Sequence, residues 1–201
     1  MTILKGATVA AHPFLMNEMR ITCQLHCDGM DDSDIVSKVK SENLFQYPTE
    51  RKLAAIARAC CKRANAADSD AIVRIIASGM PDAAAQANMY AMMCTYPLVR
   101  HFMMQIVSVK YADLDYTLAP MDVGAYVTNL QAEYDNIAQL SDSTIVKLKQ
   151  VLRRCLVECG MIENTKSDHL VPIMMDPTVR YAIEAKGDME ALRAFNYQEM
   201  M

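Results

Sequence analysis

The stretch YAMMCTYPLVRHFMMQIVSVKY, residues 90–111, decides between a membrane protein and a helical globular one. It overlaps an uncharged run, residues 83–99, that is rich in alanine and methionine. A bilayer crossing needs about 20 largely apolar residues. The run is shorter than that, contains three polar side chains and is interrupted by Pro97. We therefore predict no membrane span.

Pro97 instead indicates two helices that meet at TYP, because proline ends one helix but is well suited to begin another. The first helix is expected from Pro81 to about Thr95. In the second, spacings of three and four residues predict one apolar face that carries Leu98, Phe102, Gln105 or Ile106, and Val109. Methionine fills irregular gaps between packed helices, so this stretch is interpreted as core.

The composition of the 201-residue chain supports a helical globular protein. Hydrophobic residues make up 52%, there are only six glycines, and the net charge is −4. The N-terminus lacks the apolar run of a secretory signal. Seven cysteines, an odd number without a paired framework, favour a reducing cytoplasm.

Capping residues and prolines predict helices along the whole chain. Thr49 is a candidate N-cap for a helix over 49–65, and Ser141 for one over 141–159. The fold class is therefore all-α, a compact multi-helix protein. Residues 161–175 are different: short apolar pieces flank a polar turn, which favours a small β-hairpin.

YADLDYTLAP (111–120) is the best internal boundary, since it combines turn residues, acidity and a proline. We expect an N-terminal helical subdomain over 1–116 and a C-terminal one over 117–201. The predicted order of helix 120–134, basic helix and hairpin in the second subdomain resembles a winged helix-turn-helix.

Positive charge is concentrated on two of the predicted helices. Residues 49–65 carry five Lys/Arg and one Glu, a net charge of +4, and residues 141–159 carry four Lys/Arg and two acids, a net charge of +2. Helical projection puts apolar residues on one side of each segment and cations on the other. A basic helix face can follow a phosphate backbone, although charged residues also cover ordinary solvated faces. The candidate DNA-binding residues are Arg51, Lys52, Arg58, Lys62, Arg63, Lys147, Lys149, Arg153 and Arg154.

The sequence contains no recognisable catalytic constellation. Cys23, His26 and Cys27 could lie close together on a helix, but no second Cys/His cluster of zinc-finger spacing follows. No glycine-rich phosphate loop is present. His101 has no nucleophile or carboxylate partner nearby in sequence. We expect no enzymatic activity, no cofactor and no metal.

Four segments resemble the BrxA family of bacteriophage exclusion (BREX) defence systems. They are FLMNEMRI (14–21), SENLFQYPTERK (41–52), the stretch 90–111 and LSDSTIVKLKQVLRRCLVECGMI (140–162). The resemblance spans nearly the whole chain, and TYPLVRHF and STIVKLKQVL…GMI are its most specific parts. It implies an all-helical cytoplasmic protein, similar in fold to the NusB antitermination factor, that binds DNA without a known catalytic activity.

The resemblance also implies partners, namely a DNA methyltransferase, an alkaline-phosphatase-like protein and a large ATPase. Two function classes stay open. The chain is either a sequence-tolerant subunit that binds double-stranded DNA through the two basic helix faces, or a protein–protein adaptor whose basic faces meet acidic partner surfaces. A third, enzymatic reading would need chemistry that the sequence does not display.

Overall fold

Helices form nearly all the regular structure of the computed structural model, which describes residues 3–197. Short 3-10 helices cover Ala7–Ala10 and Arg193–Phe195. The α-helices are α1 (Met16–Cys27), α2 (Asp32–Glu42), α3 (Glu50–Ala67), α4 (Asp70–Ser78), α5 (Pro81–Thr95), α6 (Pro97–Phe102), α7 (Ser108–Ala112), α8 (Pro120–Glu133), α9 (Asp135–Ala138), α10 (Asp142–Glu158), α11 (Pro177–Ala185) and α12 (Met189–Leu192). The all-α prediction is confirmed.

Local chemistry explains where most helices begin. Proline occupies the first residue of α5, α6, α8 and α11, where its missing N–H would have no partner in the helix anyway. Other starts have an N-cap side chain that accepts a backbone N–H. These caps are Asp31, Thr49, Ser69, Ser141 and Asp176. At α8, the Asp122 carboxylate accepts the N–H of Ala119 at 2.8 Å, so this start has a partner although alanine cannot cap.

The described residues pack as two units that interleave along the chain. One, the 15–95 unit, comprises Leu15–Thr95 and Asp176–Gly187. The other, the 96–175 unit, comprises residues 3–14, 96–175 and 188–197. The boundary expected at 116/117 lies inside the second of these units.

In the 15–95 unit, α5 is the central helix. Eleven consecutive residues, 83–93, are buried, so α5 is covered on every side and its apolar character belongs to a core. Helices α3, α4 and α11 contact it. None of the helices within residues 3–197 combines the length and the apolar character that a membrane crossing requires.

In the 96–175 unit, α6 continues through a π-helical turn, Met103–Val107, into α7. This turn shows that the predicted apolar face was partly wrong. Gln105 and Val109 are exposed, whereas Val107 and Tyr111 are buried. A π turn takes one extra residue, so positions beyond it are rotated relative to an uninterrupted α-helix. The buried stripe therefore runs 98, 102, 107 and 111.

The β-hairpin predicted near 161–175 is not formed. Within the described residues, this segment makes one isolated antiparallel bridge, between Thr117 and His169. Leu118 N–H donates to Asp168 O at 2.7 Å, and Leu170 N–H donates to Tyr116 O at 2.8 Å. The segment thus pairs with the chain before α8, and one further backbone bond, from the N–H of Val171 to Met161 O at 2.8 Å, joins its two ends. No two-stranded wing follows α10 within residues 3–197.

Candidate nucleic-acid interface

The outer face of α3 carries four exposed cations, Arg51, Lys52, Arg58 and Lys62. The helix folds this way because its apolar residues repeat at spacings of three and four. They face α2, α1 and α5, which leaves the cations outward. Lys52 is held by the ring of Tyr47, with its Nζ 4.0 Å from the ring centroid. The predicted basic face of α3 therefore exists, with one exception.

The exception is Arg63, which is fully buried with 0% of its surface exposed. Its Nη1 donates to Asn88 Oδ1 at 3.3 Å, and Asn88 belongs to the buried helix α5. This guanidinium is a core group and cannot reach a phosphate on the surface. We therefore leave Arg63 out of the candidate interface.

Helix α10, like α3, carries exposed cations next to one buried arginine. Lys147 and Arg154 are exposed and Lys149 is half-buried, so these three are available to a ligand. Arg154 also makes a 2.7 Å ion pair with Glu158 one turn later, which reduces the local positive charge. The basic face of α10 is consequently smaller and weaker than that of α3.

Arg153 is 5% exposed and has a structural role. Its guanidinium donates to three backbone carbonyls, Leu118 O at 2.9 Å, Thr165 O at 2.9 Å and Ser167 O. Burial lowers the pKa of Arg153 from its ordinary value. Because these bonds tie the segments on either side of the Thr117–His169 bridge to α10, we also leave Arg153 out of the candidate interface.

Polar groups that were not predicted stand beside both sets of cations. Ser33 and Ser37, one turn apart on α2, line an open cleft together with Arg58 and Lys62. Thr165 lines another with Lys149 and Arg154, next to the first residue of α8. The serine spacing on α2 was the available signal, but a sequence does not show which helix lies beside α3.

The remaining candidate groups have packing partners. His101 Nδ1 is 3.0 Å from the Tyr126 hydroxyl, and its ring packs edge-on against Tyr134. Burial raises the pKa of Tyr126. Both contacts of His101 are with tyrosine side chains, and no carboxylate is recorded as its partner among residues 3–197.

The cysteine and histidine group of α1 is divided in the structure. Cys23 is buried, and burial raises its pKa well above the ordinary value. Cys27 is exposed. His26 instead approaches two residues of other helices, Asp32 and Cys61, and one ligand atom from each of these three lies within 4.8 Å of the others.

These observations define a class, an all-helical protein with two basic amphipathic helices. Comparison with known proteins refines it. The family model BrxA matches residues 6–187. "BREX protein BrxA" of Bacillus cereus (strain H3081.97) is 29% identical over 184 residues, covering 90% of this chain and 91% of that protein. "BREX protein BrxA" of Escherichia coli O9:H4 (strain HS) is 21% identical over 180 residues, covering 90% and 84%. The chain belongs to the BrxA family.

A solved structure is similar in fold. The crystal structure of an uncharacterized protein from Magnetospirillum magneticum superimposes with a TM-score of 0.80 at 19% sequence identity. The similarity covers 95% of this chain and 97% of that one. The all-helical arrangement is thus shared over nearly the full length of both chains.

Proposed function

We propose that this chain is a non-enzymatic, DNA-binding subunit of a cytoplasmic BREX phage-defence system. It would contact the backbone of double-stranded DNA through the exposed cations of α3 and α10. The observation that carries the proposal is the charge distribution. A chain with a net charge of −4 presents seven of its nine candidate cations on the outer faces of two helices.

Helix α3 is the stronger candidate because its exposed cations extend over more of the helix, and because Arg154 on α10 is paired with Glu158. Arg51 and Lys62 are separated by about 16 Å along the helix axis, a length that corresponds to roughly five base-pair steps of DNA. Ser37 stands beside Arg58 and Lys62 as a hydroxyl donor, whereas the hydroxyl of Ser33 in the same cleft already donates to Asp31 Oδ1 at 2.8 Å. Lysine, arginine and serine are typical of contacts that position a protein on phosphates without reading base sequence.

Helix α10 offers a second, smaller set. Lys149 and Arg154 share a cleft with Thr165, and the third accessible cation is Lys147. With no strand pair after α10 in the described residues, nothing resembles the wing of a winged helix. This helix is therefore proposed to add backbone contacts rather than to read bases in the major groove.

Family membership supports an inference about the system and the partners. Relatives are named BREX proteins, and we infer that this chain acts beside the other BREX components, a DNA methyltransferase, an alkaline-phosphatase-like protein and a large ATPase. Its role there would be to hold DNA, while the chemistry is done by the partners.

Charge reversal on α3 tests the proposal. The triple variant R51E/R58E/K62E should weaken binding to unrelated duplexes by similar factors. It should also flatten the plot of log affinity against log salt by roughly 0.9 for each phosphate that the protein no longer neutralises. DNA retention by the purified protein at several salt concentrations measures both effects.

The matched control reverses three other exposed cations, R74E/K166E/R193E, and changes the net charge by the same amount. It should retain most of the affinity and the original salt slope. Equal weakening in the two triple variants would mean that binding depends on net charge rather than on α3. Unchanged binding in R51E/R58E/K62E would contradict the proposed surface, and K147E/K149E/R154E then tests α10 alone.

The alternative is a protein–protein adaptor, and exposed methionines favour it. Met80, Met121 and Met174 are 75%, 77% and 90% exposed. Flexible thioether side chains suit adaptable protein contacts. If R51E/R58E/K62E and K147E/K149E/R154E leave DNA retention intact but abolish pull-down of a BREX partner, the adaptor function replaces the first proposal.

A further inference from the structure

Three helices of the 15–95 unit bring His26, Asp32 and Cys61 together. His26 lies in the last turn of α1, Asp32 is the first residue of α2 and Cys61 lies in the middle of α3. His26 Nε2 is 3.5 Å from Asp32 Oδ1. Adjacent ligand atoms of a tetrahedral zinc ion, at the usual bond lengths, are about 3.3–3.6 Å apart. The three side chains are therefore close to the spacing that one ion requires.

The arrangement also leaves one ring nitrogen of the histidine without a hydrogen bond. The Nε2 atom of His26 is buried and has no hydrogen-bond partner. The opposite oxygen of the carboxylate does have one, since Asn65 Nδ2 donates to Asp32 Oδ2 at 2.9 Å. That contact fixes the carboxylate with Oδ1 toward the histidine. Metal sites commonly use such a supporting hydrogen bond to orient a ligand.

We propose that His26, Asp32 and Cys61 form a site for one divalent transition-metal ion of the zinc class. Imidazole nitrogen, thiolate sulfur and carboxylate oxygen are the three ligand types that zinc uses in proteins. Calcium and magnesium prefer all-oxygen sites and would not select this set. The cleft lined by Asp32, Cys61 and Asn65 is open and gives the ion a path of entry.

Binding must displace one proton. Burial and the Asp32 carboxylate raise the pKa of Cys61 to about 12, so the metal-free thiol is neutral near pH 7. The metal–sulfur bond forms as the S–H proton leaves to solvent, and the His26 ring binds as the neutral imidazole. The site then changes from a net charge of −1 to zero. Arg58 and Lys62 line the same cleft, and their positive charges repel the incoming cation. Added salt should screen this repulsion.

The sequence offered no signal for this site, because its ligands are brought together only by helix packing. The cluster considered from sequence, Cys23 with His26 and Cys27, shares only the histidine with it. That difference supplies a matched control, since Cys27 is an exposed thiol next to His26 that the proposed site does not use.

Cobalt(II) titration of the reduced full-length protein tests the proposal. We expect saturable binding of one ion per chain, with thiolate-to-cobalt charge-transfer absorption and the visible bands of a tetrahedral site. C27A should keep both signals. C61A should lose the charge-transfer absorption, and H26A and D32N should weaken cobalt binding by at least about tenfold.

A second measurement does not depend on C61A folding correctly. Zinc should raise the thermal unfolding midpoint of the wild type and of C27A in a concentration-dependent way, because an ion that binds the folded state stabilises it. D32N changes an exposed side chain and should make that increase smaller at each zinc concentration. The proposal is overturned if the wild type shows no saturable cobalt absorption, if C27A loses the absorption, or if C61A or D32N behaves like the wild type.

Discussion

Arg153 and Arg154 are adjacent in sequence but have opposite roles. The first is buried among three backbone carbonyls, and the second is exposed and paired with Glu158. A sequence pattern that treats every arginine as a surface cation cannot separate them. In the structure, the side chain of Arg153 points from α10 into the protein and that of Arg154 points toward solvent.

We predict that R153A lowers the free energy of unfolding by about 3 kcal/mol, because it leaves buried carbonyls without a donor. R154A should change it by less than about 0.5 kcal/mol, since an exposed pair one helical turn apart contributes little. Urea unfolding followed by circular dichroism measures both values. Equal effects of the two substitutions would mean that the three carbonyls find other partners.

The exposed cations were predicted from sequence better than the buried ones. Arg51, Arg58 and Lys62 point outward because the apolar side of α3 alone decides their direction. Arg63 lies on the boundary of that apolar side, and its hydrogen bond to the neighbouring Asn88 helps to make its burial tolerable. A buried charge needs a partner from another helix, and the sequence of α3 does not contain that partner.

The α6–α7 segment has a helical register that could not be predicted from the sequence. Helix starts at prolines and caps depend on a few adjacent residues, and most were predicted. The π turn at Met103–Val107 depends on packing further away. Its register lets Val107 and Tyr111 follow Phe102 into the core, while Ser108 Oγ donates to Met104 O at 2.6 Å.

The π turn behaves as a one-residue insertion, and this can be tested. Deleting the exposed Gln105 should convert it into regular α-helix and keep the following core residues on the buried side. The expected cost is below about 1 kcal/mol. Inserting alanine after Gln105 should instead turn Val107 and Tyr111 by about 100° and cost more than about 3 kcal/mol.

Thermal and urea unfolding of the deletion and insertion variants measure the difference. A matched pair of changes after Gln150, an exposed residue in the regular helix α10, provides the control. There, deletion and insertion should be similarly damaging. Equal damage from the two changes at Gln105 would contradict this interpretation of the π turn.

The same dependence on packing explains the absent hairpin. The apolar pieces within 161–175 have the composition of short strands. However, Tyr116 and Leu118 supply the backbone partners of the 168–170 stretch. Hydrogen bonds between distant segments are invisible to a pattern that compares neighbours.

For the molecule as a whole, buried phenols make stability sensitive to alkaline pH. Burial raises the pKa values of Tyr111 and Tyr126 above the ordinary 10.0. Tyr111 also donates to Val171 O at 2.8 Å. Both phenols therefore stay protonated in the folded state at a pH where the unfolded chain releases those protons.

The unfolding free energy should be unaffected by these two groups below about pH 10 and should fall above it. The expected slope is about 1.4 kcal/mol per pH unit for each group. Urea unfolding between pH 8 and 11.5 measures this slope, and Y111F should reduce it. If phenolate absorbance of the native protein showed all nine tyrosines ionising together near pH 10, the prediction would be wrong.

The interleaved connectivity has a consequence for synthesis. Helix α11 contacts α4 and α5, yet it is translated only after residues 96–175. At about 5–20 residues per second, a ribosome needs roughly 4–16 s to cover that interval. During this delay the nascent chain holds α4 and α5 with the side that will receive α11 uncovered. Ribosomes stalled before residue 176 should therefore carry a 15–95 segment that protease cuts faster than it cuts the released, full-length chain.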